Sequence, residues 1–190
     1  MVYDGIILSL LIGFLRGGSL KGIAEIEFKY GWVFIILIVG QLFVYFTQNH
    51  FGFVGAISNQ FFMFVYIIGM FFLWINRHHE GFTIILVGVF LNFLVMAVNG
   101  GRMPVSEEAS AVLDPHYIEM LKSGLAGKHA LLTDSTILPF LGDILPLQPP
   151  YPRQQVISIG DIVMNVGVFL FIQKVMLIHR KEKTEGKKLA

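Results

Sequence analysis

The sequence predicts an all-α integral membrane protein with five transmembrane helices, the first one short, and a long extracytoplasmic cap between the fourth and the fifth. Three observations carry this expectation. Of the 190 residues, 55% are hydrophobic and only 14% charged, and the mean hydropathy of +0.69 lies well outside the range of soluble domains. Apolar runs recur at close to the ~17 to 25 residues that a spanning helix needs. All seven prolines fall within residues 99–155, so a single long connection interrupts a chain of otherwise short links.

The first apolar run, Val2 to Leu15, is short for a span and contains Asp4, Gly5 and Gly13. It reads as a thin first helix rather than a segment lying in the interface. It is expected to stay attached, because Met1-Val2-Tyr3-Asp4 lacks a basic n-region, and Arg16 and Lys21 follow the run instead of preceding it. The next three spans are Gly31 to Thr47, Phe61 to Ile75 and Phe82 to Val98, and the last is Val156 to Ile178. The connections Gln48 to Gln60 and Asn76 to Gly81 are short enough to imply antiparallel hairpins of neighbouring helices.

Lysine and arginine then orient the chain. Arg16, Lys21 and Lys29, then Arg77, then Lys174, Arg180, Lys181, Lys183, Lys187 and Lys188 fall on one side, which the positive-inside rule assigns to the cytoplasm. The other side holds Arg102, Lys122, Lys128 and Arg153. The expected product is a single membrane domain over 1–190 in a bacterial plasma membrane, N-terminus out, with a basic cytoplasmic tail over 179–190 against anionic lipid. The net charge of +1 sums two unlike faces and gives no reason to expect nucleic acid as a partner. Zero cysteine removes disulfides, thiolate metal sites and cysteine nucleophiles.

The cap, 99–155, is too apolar at Ile137, Leu138, Phe140, Leu141, Ile144, Leu145 and Leu147 to be a solvated tail. It is expected to fold on the outer membrane surface. Asp114 as N-cap and Pro115 at the first helical position predict a short helix that ends near Gly124. Pro149-Pro150-Tyr151-Pro152 reads as a stiff spacer into the last helix.

Chemistry concentrates where the last two spans meet. Ser158, Asp161 and Asn165 recur on one face of the fifth span, and Asn92, Met96 and Asn99 on one face of the fourth. Counting ~1.5 Å per residue inward sets Asn92 level with Asn165, which predicts an interhelical hydrogen bond between them, with Gly88, Gly160 and Gly167 permitting close approach. A carboxylate at that depth needs a partner or a job. For Asp161 two readings stay open: a salt bridge to Arg102 or Arg153 that pins the cap, or a carboxylate of shifted pKa that works with a second one, Asp143 or Asp134. Six histidines without metal-binding spacing give no expectation of a metal or cofactor.

Two resemblances bear on this. The run Val156-Ile157-Ser158-Ile159-Gly160-Asp161, with Gly167 after it and Asp143 eighteen residues before Asp161, resembles the end of a lipoprotein signal peptidase, though without that family's asparagine ahead of the aspartate. The resemblance implies an aspartate pair, Asp143 with Asp161. Over the whole chain, Asn99-Gly100-Gly101-Arg102-Met103-Pro104-Val105, His129 to Asp134, Leu138 to Asp143 and Pro152 to Asp161 together resemble a family of small multi-pass bacterial membrane proteins of unknown function found in spore-forming Gram-positive lineages. The expected function is therefore a binding or structural site between cap and last two spans, built from Asn99, Arg102, Asp134, Arg153, Ser158 and Asn165. A lipid, a small molecule or a membrane protein is the expected partner besides the bilayer. The alternative is an aspartyl-type intramembrane hydrolase or peptidase using Asp161 and Asp143 at the outer leaflet. The absence of inverted repeats argues against a transporter.

Overall fold

The computed structural model describes residues 2–48 and 50–178. The basic tail over 179–190, His179 included, lies outside the described residues, as does the side chain of Asp4. In chain order the elements are α1 (Val2–Leu15), α2 (Lys21–Ala24), α3 (Gly31–Thr47), α4 (Gly52–Ile75), α5 (Phe82–Val98), β1 (Met103–Val105), α6 (Glu107–Ser110), α7 (Pro115–Lys122), β2 (His129–Leu131), a 3-10 turn (Pro139–Leu141), β3 (Leu145–Leu147), β4 (Gln155–Ile157) and α8 (Ile159–Met176).

The protein is mostly helical. Among the described residues two helices are long and apolar enough to cross a membrane, Ile57–Ile75 within α4 and all of α8, while α1, α3 and α5 are apolar but shorter. The helices pack in a row, α3 on α4, α4 on α5, α5 on α8 and α8 on α1, with α2 also touching α8. The α5–α8 contact is the closest. A Cβ placed on Gly88 would meet Gly160 O at 2.5 Å and Met164 N at 2.7 Å, so these backbones approach as only small residues allow. α1 is held to α8 by polar contacts. Gln173 Nε2 donates to Ser9 O (2.6 Å) and Arg16 Nη1 donates to Gln173 Oε1 (2.8 Å).

Two boundaries differ from the sequence expectation. The stretch Gln48 to Gln60, read as a connection, is mostly helix: α4 starts at Gly52 and runs 24 residues. Its glycine and polar residues sit inside the helix: a Cβ on Gly55 would meet Gln48 O at 2.8 Å, Ser58 Oγ donates to Gly55 O (2.9 Å), and both residues line a cavity with Arg102 and Gly124 of the cap. At the other end, 155–157 form β4 rather than the first turn of the last helix. α8 therefore begins at Ile159, N-capped by Ser158 in a capping box with Asp161.

The cap is also not all-α. It holds a parallel pair, β1 with β2 (Met103↔His129, Val105↔Leu131), and an antiparallel pair, β3 with β4 (Leu145↔Ile157, Leu147↔Gln155). A bridge between Val105 and Asp143 ties the two together, through Asp143 N donating to Pro104 O (2.8 Å) and Ser106 N donating to Asp143 O (3.0 Å). Each strand has three residues, too few for an alternating pattern to stand out. α7 follows expectation: Asp114 Oδ1 accepts from His116 N (2.9 Å) and Pro115 opens the helix, which is followed by Gly124 at φ +73°.

Candidate functional site

The β3–β4 pairing folds Asp143 back onto the start of α8, which makes the cap and the α5–α8 seam one region. Within it the polar residues sort into two groups, one filled with internal hydrogen bonds and one facing open space.

The filled group lies between α5 and α8. Asn92, only 3% exposed, donates from Nδ2 to Asp161 Oδ1 (3.0 Å) and accepts from Ser158 Oγ (2.8 Å). Ser158 Oγ also accepts from Asp161 N (3.0 Å), and Asp161 Oδ2 accepts from Ser158 N (3.2 Å). Both carboxylate oxygens of Asp161 are thus engaged in capping and in the Asn92 bond. The expected bond between Asn92 and Asn165 is corrected here. Because α8 starts at Ile159, Asn92 stands level with Asp161, one turn or ~6 Å further out than the depth count placed it. Asn165 instead donates from Nδ2 to Asp161 O (2.8 Å), while its buried Oδ1 has no hydrogen-bond partner and packs on Gly5 of α1. Asn99 fastens the end of α5 to the cap, donating to Val95 O (2.7 Å) and Ile137 O (2.8 Å) and accepting from Ile137 N (3.0 Å).

The open group lies in the cap. Asp143 is buried (7% exposed), yet its Oδ2 is 3.7 Å from His129 Nε2, beyond hydrogen-bond length. Tyr117 Oη stands 2.8 Å from His129 Nδ1, so Tyr117, His129 and Asp143 form a row. Burial, reinforced by the charge of Asp161 and opposed by Lys128, pushes the Asp143 carboxyl up to about 8. Burial, with Lys128 adding to it, holds the His129 imidazole down to about 3. Burial and the nearby Asp143 raise the Tyr117 phenol to about 12. Burial thus disfavours the charged form of all three.

This row lines a cavity of about 430 Å³ whose walls also include Tyr45, Asp114 and the exposed Arg153. A second cavity of about 480 Å³ is lined by Arg102, Gln48, Ser58 and His116. Arg102 Nη1 donates to Gly124 O (3.2 Å). Among the described residues neither Arg102 nor Arg153 forms an ion pair, whereas Lys122 pairs with Glu107 (2.8 Å) and Lys174 with Glu80 (3.1 Å). A third cavity of about 350 Å³ shares Tyr45, Tyr117 and His129 with the first and Gln48 with the second.

Of the residues singled out in the sequence, Asp143, Arg153 and Arg102 thus border cavities, while Asn99, Ser158 and Asp161 are held by internal hydrogen bonds. Asp134 is exposed in the turn Thr133 to Thr136 and is not a wall of these cavities. Tyr117 and Tyr45 were missed, and His129 was set aside for lack of metal spacing. The β1–β2 register carries His129 to this wall and Tyr45 reaches it from α3, and no local pattern reports either.

A mostly helical chain with membrane-length helices and a mixed cap defines the class only broadly. Residues 25–173 match the profile of a family described as "Family of unknown function (DUF5317)", and the chain belongs to that family. It is similar to an uncharacterised protein of Thermotoga maritima, 38% identical over 85 residues that cover 45% of this chain and 46% of the other. The chain thus spans about half the length of the curated relative it matches. No solved structure matches.

Proposed function

We propose that this is a five-span plasma-membrane protein, N-terminus out and C-terminus cytoplasmic, whose outer cap binds an anionic headgroup or small molecule. The observation that carries the reading is that Arg102 and Arg153 each border a cavity and that neither forms an ion pair among the described residues. Guanidinium forks suit phosphate and carboxylate oxygens. The bilayer assignment is supported by α3, on which Trp32, Phe34, Ile35, Ile36, Val39 and Phe43 are all at least half exposed. A continuous apolar face of that kind in water would aggregate. In lipid it is ordinary.

The test uses the full chain in nanodiscs of phosphatidylcholine, with and without an anionic phospholipid. Mass action predicts that anionic lipid raises the unfolding midpoint, by about 2 to 4 °C for each kcal/mol of binding energy. Arg102→Gln together with Arg153→Gln should abolish the rise. A rise that survives both substitutions refutes the reading. Hydrolysis by Asp161 with Asp143 fits less well, because the Asp161 carboxylate is already committed to the N-cap of α8 and to Asn92 and does not line the cavities described above.

A further inference from the structure

We propose that the cavity walled by Asp143, His129, Tyr117, Tyr45 and Arg153 binds a phosphate ester that carries free hydroxyls, the chemistry of a glycerol phosphate or sugar phosphate headgroup. This rests on the anionic-group reading above and specifies what else the ligand must present.

Arg153 is exposed at the cavity and without an ion pair among the described residues, and Asp114 on the same wall is turned to capping α7 through His116 N, so Arg153 supplies the fork for a phosphate. That alone fits any anion. Asp143 narrows the choice. Buried side-chain polar groups are nearly always hydrogen-bonded, yet among the described residues nothing hydrogen-bonds this carboxyl, His129 Nε2 standing off at 3.7 Å, and the carboxyl lines the cavity. An uncharged carboxyl offers one donor and further acceptors, which is what a hydroxyl offers in return. His129 is equally two-sided, with Nδ1 taken up by Tyr117 Oη at 2.8 Å and Nε2 directed to Asp143. Tyr45 and Tyr117 add ring faces on which the C–H surface of a polyol can rest.

The competing ligand classes each leave something unmet. Inorganic phosphate satisfies Arg153 but presents no aliphatic surface to the tyrosines, and among the described residues no three His, Asp or Glu side chains cluster to hold a metal ion. An apolar group leaves Asp143 unpaired, which costs more than it gains. The volume of about 430 Å³ sits in the lower part of the ~300 to 1,000 Å³ range of small-molecule sites and suits a headgroup.

The experiment compares three ligands on the full chain in phosphatidylcholine nanodiscs, reading the unfolding midpoint. One set of discs is doped with phosphatidylglycerol. Another is doped with phosphatidylmethanol, which has the same charge and no free hydroxyl. To a third, undoped set glycerol 3-phosphate is added in solution. The expected result is a half-saturating fraction about tenfold lower for phosphatidylglycerol than for phosphatidylmethanol, as two added hydrogen bonds provide. Asp143→Ala should erase that difference and Asp143→Asn, which keeps a donor and an acceptor, should retain it. If the alanine variant does not accumulate, Tyr45→Ala at its exposed position should narrow the difference several-fold, and an unchanged ratio overturns the proposal. A response to glycerol 3-phosphate alone supports it with a free phosphate ester as ligand. Equal responses to the two lipids overturn the hydroxyl recognition and leave the arginine reading standing. No response to any of the three overturns both.

Discussion

Asn92 and Asp161, 69 residues apart, share a 3.0 Å hydrogen bond that spans the α5–α8 seam. Because Asn92 also takes the Ser158 hydroxyl, one amide satisfies both members of the cap that starts α8. Asn92→Leu strands two buried polar groups and is expected to destabilise the protein by about 2 to 3 kcal/mol. Asp161→Asn keeps the shape and should lose about 1 kcal/mol. A double-mutant cycle with Asn92→Leu and Asp161→Leu, read by unfolding in detergent, should return a coupling of about 1 kcal/mol. Strict additivity would dissociate the two residues.

The same seam makes a prediction about size. At Gly88 an added Cβ meets the backbone of Gly160 and Met164 at 2.5 and 2.7 Å, and backbone cannot rotate away. Gly88→Ala should cost about 1 to 3 kcal/mol as the helices part. Gly69, also inside a helix, has nothing within 4 Å of the same atom. Gly69→Ala should be neutral or stabilising by up to ~1 kcal/mol through helix propensity. The pair of melting curves separates packing from propensity.

Asp143 and His129 give stability a pH dependence whose sign changes. Asp143 is raised from 3.8 to about 8, so between those values the folded state holds a proton that the unfolded chain releases, and stability falls as pH rises. His129 is lowered from 6.5 to about 3, so between those values the unfolded chain holds the proton and stability rises with pH. The two oppose each other from about pH 4 to 6.5. Above that Asp143 acts alone, and the protein should lose up to about 2 kcal/mol between pH 6.5 and 8. Melts of Asp143→Asn across the same window should be flat at this site, and an equal slope in both proteins would remove Asp143 as the source.

Topology is directly accessible because the chain has no cysteine. Asp134→Cys, exposed in the cap, and Glu80→Cys, in the turn between α4 and α5, lie on opposite sides of the membrane in the five-span reading. A membrane-impermeant maleimide applied to intact cells should label the first and spare the second until the cells are opened. Labelling of both in intact cells would count against five spans.

Helix positions were readable where hydropathy alone sets them. The apolar runs Val2 to Leu15, Gly31 to Thr47 and Phe82 to Val98 coincide with α1, α3 and α5. The start of α4 was hidden because Gly52, Gly55, Ser58 and Asn59 look like turn residues in sequence, whereas Gly55 packs on Gln48 and Asn59 lies against Gly101 of the cap. The cap strands were hidden because three-residue strands carry no period and their partners lie far along the chain. The site divided in the same way. Asp143 and Asp161 announce themselves as carboxylates near apolar segments, but nothing near Tyr117 or His129 reveals that the parallel register Met103↔His129 will carry them to Asp143.

The pairing order of the cap has a consequence for how the chain is made. β1 leaves the ribosome directly after α5, but it waits for His129 to Leu131, and β3 waits for Gln155 to Ile157, the last residues before α8. The segment that shelters Asp143 therefore closes only as the final helix is being delivered. Until then the burial that raises its pKa is absent. In the five-span topology proposed above, the cap would cross the membrane with Asp143 still open to water, and closing the cap would then raise the proton affinity of its carboxyl.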